Sequence, residues 1–480
     1  MIRLALILAL LASHAFAKDM VPTPPDDLPV GELEPFLAKH FLETGNDDAS
    51  LAELQDNAEF RALVEKHGLR LFGGPTPGRL RSDGATIWIR TAFPFDVEIQ
   101  VFDQDGGALA KSDSVKTGPQ GDFTAELKVS GLAPDTGYSY NVTLNGEPQF
   151  EADALPILRT APAPGSRSRF SVAFGGGARY VAHREFIWDT VAKSKPLAFL
   201  WLGDNLYIDD PESRSRQRLY YYRRQLRPEY RRMGAAGVAA YSIWDDHDFA
   251  TNDDEGGPLV ETPAWRRPVW NVYRENWVNP GYGGGEALPG CWYDFSLGDV
   301  DFFMTDGRSY RTFKGVEKED RTMLGPEQKA WLLEALGKSD ATFKVIASGT
   351  LWTSHADKHG KDSWWGCPHE RDEIFNYVAE KQIGGVVLLS ADRHRTDIYE
   401  MKWKGDYPLY EFETSKLTND HTHPTRKEAL FSYNEGNFFG KLDFDFTLED
   451  PQFTFSCIAN DGTLIHDMKL SRSQLEPTQR

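Results

Sequence analysis

The residues best suited to chemistry in this chain stand in short acidic and histidine-bearing phrases that follow apolar runs. The densest is Trp244-Asp-Asp-His-Asp-Phe-Ala-Thr-Asn-Asp253, which sets four carboxylates, a histidine and an amide together without a lysine or arginine. Carboxylates this close repel, and several are driven to take up protons unless a cation neutralises them. A bound divalent or trivalent metal would do so. Taken alone, the phrase reads equally well as an acidic loop capping a helix, with Asp245 or Asp248 as the N-cap.

Three further phrases tip that balance towards metal. Gly203-Asp-Asn-Leu-Tyr-Ile-Asp-Asp210 offers Asp204 as a hard oxygen ligand and Tyr207 as a phenolate, although a Gly-Asp turn beside a core tyrosine is the plainer reading. One carboxylate can bridge two ions, and two metals about 3.5–4 Å apart clamp the attacking and leaving oxygens of a phosphoryl transfer. Ser390-Ala-Asp-Arg-His-Arg395 offers His394 as an imidazole ligand, with Asp392 as a further ligand or as the group that orients it. Thr305-Asp-Gly-Arg-Ser-Tyr-Arg311 adds Arg308 and Arg311, whose guanidinium forks suit phosphate oxygens or, equally, salt bridges to nearby acids. The stretch from Arg214 to Arg232 is rich in arginine and tyrosine, and reads as a solvated helix face or as an electropositive gate for an anionic substrate.

These phrases need elements to position them. FSVAFGGG, AFLWLGD, AAYSIWDD, VDFFMTDGR, FKVIASG and GVVLLSAD are short apolar runs separated by stretches long enough for crossover helices. Such runs suit strands buried on both faces, and ligands in α/β sheets bind beyond the carboxyl ends of the strands. Each run ends in Gly, Asp or Ser, so the pattern predicts a layered α/β domain with Asp204, Asp246, Asp306 and Asp392 on one rim. FGKLDFDFTLED and QFTFSCIANDGTLIHDMKL are expected to add antiparallel strands turned at Asn460-Asp-Gly462.

Ahead of that domain, residues 71–160 alternate in short segments broken by Pro-Gly, Asp-Gly and Asn-Gly, which predicts an all-β sandwich. Gly131-Leu-Ala-Pro-Asp-Thr-Gly-Tyr-Ser-Tyr140 resembles the turn and tyrosine-bearing strand of fibronectin or Ig-like modules. Residues 18–70 read as a helical lead-in, and Pro162-Ala-Pro-Gly-Ser166 as a linker. The first 17 residues combine Arg3, an apolar stretch from Leu4 to Ala12 and Ala15-Phe16-Ala17, the signature of a cleaved signal peptide. The expected location is periplasmic or secreted, with no later segment long enough to serve as a transmembrane helix.

Composition narrows the partners. A formal net charge of −19 over 480 residues lacks the basic footprint of a nucleic-acid binder. Cys291, Cys367 and Cys457 are too few for a disulfide scaffold and match no zinc spacing.

As a set, FGGGARY, LGDNLY, WDDHDFATND, DGRSYR, Trp365-Gly with Glu370-Arg371, LSADRHR and Phe412-Glu-Thr-Ser-Lys-Leu-Thr-Asn419 resemble the PhoD-like alkaline phosphatases, a branch of the calcineurin-like metallophosphoesterases. The resemblance runs from about Arg169 to His423, within a catalytic domain read as residues 169–470. It implies a site of two or more metal ions that hydrolyses small phosphate monoesters or diesters with a metal-bound hydroxide. By motif, Asp204 would bridge, Tyr207 and His394 would bind an iron-type ion, and Asp246 and Asn252 would serve calcium-type ions. His247 would protonate the leaving group. Arg308 joins it as a candidate catalytic residue.

The family commonly carries Phe-Gly-Ser-Cys where this chain has Phe174-Gly-Gly-Gly177, so the iron-binding thiolate is absent. The remaining ligands are mainly oxygen donors, which favours divalent calcium, magnesium or manganese over iron. A catalytically weak or inactive metal-binding or matrix-binding protein of the same fold is the alternative expectation.

Overall fold

The computed structural model describes residues 30–356, 360–404 and 407–477; the leader-like segment at residues 1–17 lies outside them. The apolar runs form two central sheets. In the first, Arg169–Gly175, Ala198–Leu202 and Ala239–Ile243 are parallel, and Phe438–Asp445, Gln452–Ala459 and Leu464–Ser471 extend the sheet antiparallel from the Arg169–Gly175 edge. In the second, Val300–Met304, Phe343–Ala347, Val386–Ser390 and Tyr407–Thr414 are parallel neighbours, flanked by Tyr293–Leu297 on one side and Thr396–Trp403 and Phe431–Tyr433 on the other.

Ala198–Leu202, Ala239–Ile243, Phe343–Ala347 and Val386–Ser390 are buried along their whole length, which is why they read as unbroken apolar runs. The sheets meet face to face through aromatic rings. Phe412 lies 4.7 Å from Phe455 and Phe343 lies 5.6 Å from Phe453, centroid to centroid. Helices cover the outer faces: Trp188 packs on Trp201 at 4.8 Å over the first sheet, while Leu332, Leu336, Ile374 and Phe375 close over Ile346 and Leu388 of the second. The parallel strands of both sheets run the same way, so their carboxyl ends share one rim. The architecture is the expected α/β class, with the rim assembled from two sheets.

Residues 71–159 form two antiparallel sheets, Leu71–Arg81 with Gly84–Thr91 and Thr124–Ser130 in one, and Asp96–Phe102 with Gly137–Leu144 at the centre of the other. Asp96–Phe102 and Thr124–Ser130 alternate buried and accessible residues, as strands with one solvated face must. The Tyr138 hydroxyl accepts the backbone N–H of Ala133 at 2.9 Å and locks the Gly131–Tyr140 turn.

The arginine- and tyrosine-rich helix Arg214–Leu226 is neither a solvated face nor an open gate. It is buried along most of its length. Its arginines are taken up by acids from distant segments: Arg223 by Glu34 at 2.5 Å, Arg224 by Glu185 at 2.9 Å and Arg218 by Glu275 at 3.0 Å. Tyr222 donates to Asp122 of the sandwich at 2.6 Å. Leu219, Tyr222 and Leu226 share a core with Leu33, Leu37 and Phe41 of the helix Leu33–Glu43, so the lead-in packs onto this strut. Local composition concealed the burial because the buried charges of Arg218, Arg223 and Arg224 are compensated by residues far away in sequence.

Candidate metal centre

The rim opens into a cavity of about 330 Å³. Asp204, Tyr207, Asp246, His247, Asn252, Asp392 and His394, all singled out from sequence, line it together. The backbone that presents them is unusual. Asp204, Asp392 and His394 have φ of 52°, 80° and 47°, left-handed conformations that non-glycine residues adopt at a cost and that cluster at functional sites. Gly203, at φ 93°, is required because a Cβ there would lie 2.5 Å from the Cβ of Asp245. The turn after Leu202 can therefore pass close beneath the Asp245 backbone.

Three donor atoms converge at the centre. The Tyr207 hydroxyl donates to Asp204 Oδ2 at 2.8 Å and lies 2.8 Å from His394 Nε2. Among the described residues, buried Asp204 Oδ1 has no hydrogen-bond partner, and neither has His394 Nδ1. Potential ligand atoms of Asp204, Asp246 and His247 lie within 4.8 Å of one another, as do those of Asp246, Asp253 and Asp362. Burial, with the charges of Asp246, Asp245 and Asp248 added, holds the Asp204 carboxyl well above the usual range. Burial first, then the nearby His423, His421, His247 and Arg393, push the His394 imidazole well below its usual range, which leaves it neutral and able to donate a nitrogen lone pair. A crowded, partly orphaned set of oxygens beside a neutral imidazole is one that a cation would stabilise, and the donor set fits a metal centre.

The opening phrase of the rim divides between its two readings. Asp248 turns inward: its carboxylate accepts the N–H groups of Leu206 at 2.9 Å, Asn205 at 3.1 Å and Asp245 at 3.2 Å, fixing the start of the short helix Asp246–Phe249. Asp246 and His247 face the cavity. The His247 Nδ1 lies 2.5 Å from Asp209 Oδ1, and its ring lies against Tyr207 at 4.2 Å, centroid to centroid, with the planes tilted by 32°. Burial opposes the imidazolium, but Asp204, Asp209 and Asp246 prevail and raise its pKa to about 10.

Two expectations need correction. Asp306 does not reach the cavity; its carboxylate is buried, accepting from the Trp244 indole at 2.8 Å and the Cys291 N–H at 2.9 Å. Arg308 and Arg311 are also buried behind the wall. Arg308 pairs with Asp245 and with Asp362 at 2.8 Å, and Arg311 pairs with Asp362 at 2.5 Å and Glu255 at 3.6 Å. The acidic wall itself captures these guanidinium groups, so they hold it together from behind, and Arg308 reaches the cavity only indirectly, through its 3.9 Å approach to Asp246 Oδ2. The arginines that line the cavity are Arg179, Arg223 and Arg393.

Several cavity residues escaped the sequence reading. Asp209 stood inside the quoted Gly203–Asp210 phrase without a role, and Arg393 stood beside His394. His421 and His423 follow the Phe412–Asn419 phrase, and their ring nitrogens form a third cluster with those of His394 inside the same 4.8 Å limit.

A model of the PhoD-like phosphatase family matches residues 172–456, and a model of a domain of unknown function, DUF7800, matches residues 68–160. Alkaline phosphatase D of Bacillus subtilis (strain 168) is 25% identical over 315 residues, covering 56% of this chain and 53% of that protein, so the match spans about half the length of the curated relative. A solved structure of PhoD superposes with a TM-score of 0.70 at 20% identity, covering 85% of this chain and 91% of that one. Purple acid phosphatase PPD1 from yellow lupin superposes with a TM-score of 0.61 at 11% identity, covering 85% of this chain and 77% of that one. Both likenesses establish the fold. The family model takes in more than half of the 480 residues and every strand end that opens onto the cavity, and the chain accordingly belongs to the PhoD-like phosphatase family.

Proposed function

We propose that this chain is an exported, metal-dependent phosphoesterase acting on small phosphate monoesters or diesters. The observation that carries the reading is the position of Asp204 between two donor groups, Tyr207 with His394 on one side and Asp246 on the other. Asp204, Tyr207 and His394 would hold one ion, and Asp204, Asp246 and Asn252 another, with Asp392 at the edge of the cavity as a ligand or as support. Such ions, when bound, act as Lewis acids on the phosphoryl group and provide a nucleophile at neutral pH.

The chain's own groups do the rest. Arg179 and Arg393 line the cavity and draw a phosphate towards it. His247 carries a proton at neutral pH and is placed to deliver it to the departing oxygen, while Asp209 fixes the ring. Export rests on the leader-like pattern at residues 1–17. Among the described residues no helix is long and apolar enough to cross a membrane.

The test is hydrolysis of p-nitrophenyl phosphate and bis-p-nitrophenyl phosphate by the purified chain. Turnover of either ester, abolished by chelator and restored by divalent metal, supports the reading. No turnover with any of calcium, magnesium, manganese, cobalt or iron restored would discard it in favour of a metal-binding protein without catalysis.

A further inference from the structure

The segment after Thr414 is held against the Gly176-Gly177 turn by a ladder of backbone hydrogen bonds. The N–H groups of Lys416 and Leu417 donate to Gly176 O at 3.0 and 3.1 Å, and those of Thr418 and Asn419 donate to Gly177 O at 3.3 and 3.1 Å. This approach leaves no room at position 177. Gly177 has φ 68°, and a Cβ there would lie 2.9 Å from Lys416 N and 3.2 Å from His394 Cδ2. No side chain at 177 can reach an ion bound at His394 without moving the segment, so any further ligand must come from elsewhere.

The same docked segment brings nitrogen donors to the place it closes. His421 and His423 set their rings 5.4 and 5.8 Å from that of His394 and 4.7 Å from each other. The backbone is anchored at Asn419, His421 and His423. Asn419 O accepts from Arg184 at 2.6 Å and from Asn437 at 2.8 Å, Asn419 Oδ1 accepts the His421 N–H at 2.9 Å, and His423 O accepts from Asn434 at 2.8 Å. Asn419 Nδ2 lies 3.2 Å from His394 Nε2, which ties the loop to the imidazole itself. A third observation is independent of the cluster: His394 is only 7% exposed, yet its Nδ1 makes no hydrogen bond among the described residues. A buried imidazole nitrogen without a partner is a cost unless something binds the ring.

We infer that His394, His421 and His423 form an imidazole-rich site for a divalent transition ion of the zinc, cobalt or ferrous class, at the histidine end of the cavity. The inference rests on the metal-dependent reading above and deepens it, because three imidazoles select borderline ions over calcium or magnesium. It also amends the expectation of a mainly oxygen-donor site. The acidic group of Asp246, Asp253 and Asp362 retains the oxygen-donor character that suits hard ions. Arg393 lies 3.2 Å from His423 Nδ1, donating to it, and is the group an incoming cation would displace from that imidazole.

The experiment is a titration of the metal-stripped full chain with Co2+ alone, followed by visible absorption and calorimetry. The expected result is one tightly held equivalent with imidazole-type d–d bands. His421→Ala with His423→Ala should weaken that equivalent roughly tenfold or more, at least the usual cost of losing a group that supports a metal. The two single variants should each give part of the loss. His421 is exposed and His423 half-buried, so the thermal transition should survive and serve as the folding control. Asp246→Asn should spare the cobalt bands and weaken Ca2+ binding instead. Unchanged cobalt affinity and spectrum in the double variant would overturn the inference. Intact cobalt bands in a protein that hydrolyses no ester would sink the phosphoesterase reading while leaving this site standing.

Discussion

His247 and Asp209 form a close pair, Nδ1 to Oδ1 at 2.5 Å, at the cavity wall. The contact leaves Nε2 as the second proton-bearing position of a ring that three carboxylates keep charged. If this ring is the acid that serves the leaving group, His247→Ala should lower turnover of an alkyl phosphate by about two to four orders of magnitude, and that of a p-nitrophenyl ester much less. Equal losses on the two esters would instead assign His247 to the metal or the fold.

The pair also sets a pH dependence. A general acid works while protonated, so activity falls as pH rises through its pKa. Asp209→Asn removes one of the charges that hold the imidazolium up, so the alkaline limb of the rate profile should move to lower pH. A profile identical to that of the unmodified chain would show that Asp209 only orients the ring.

Asp204→Asn should reduce both bound metal and turnover, because the proposed bridging position loses its charge while its side-chain size is kept. Asp113→Asn, on the exposed surface of the sandwich, is the control and should change neither. Elemental analysis after identical dialysis, paired with a rate assay, decides it.

Arginines in front of the wall and behind it should behave differently. Arg308→Ala removes the guanidinium that pairs with buried Asp245 and Asp362, and breaking such a network costs about 3–5 kcal/mol. The thermal midpoint should drop sharply. Arg179→Ala, at the cavity mouth beside the half-exposed Asp420, should raise KM with little change in the midpoint. Reversal of the two phenotypes would restore Arg308 to phosphate binding.

Gly177→Cys should not rescue iron. The left-handed backbone and the 2.9 Å approach to Lys416 N oppose any side chain, and left-handed strain alone costs roughly 1–2 kcal/mol. The expected outcome is a lowered midpoint with no gain in iron retained after dialysis. A stable variant holding one equivalent of iron would refute the steric argument.

How much of this was legible in the sequence varies from residue to residue. Asp204, Asp246 and His394 sit where an apolar run stops at polar residues, and the end of a buried strand is a local signal. Arg308 was visible as a guanidinium near acids, but its partner Asp362 lies far along the chain and only packing chooses between an acid and a phosphate. The same holds for Arg223, whose helix reads as solvent-facing until Glu34 is brought to it. His421 and His423 belong to no periodic pattern. Their meeting with His394 depends on the backbone ladder to Gly176 and Gly177, which side-chain patterns do not encode.

The helix Arg214–Leu226 has a mechanical consequence. It supplies Tyr220 and Arg223 to the cavity, pairs with the lead-in through Glu34 and grips the sandwich through Tyr222 and Asp122. Pulling the sandwich away would bare buried charges and slacken the cavity wall in the same motion. The three regions should therefore melt as one cooperative unit, and cleavage near residues 162–166 should leave the fragments associated, with no separately stable catalytic half released.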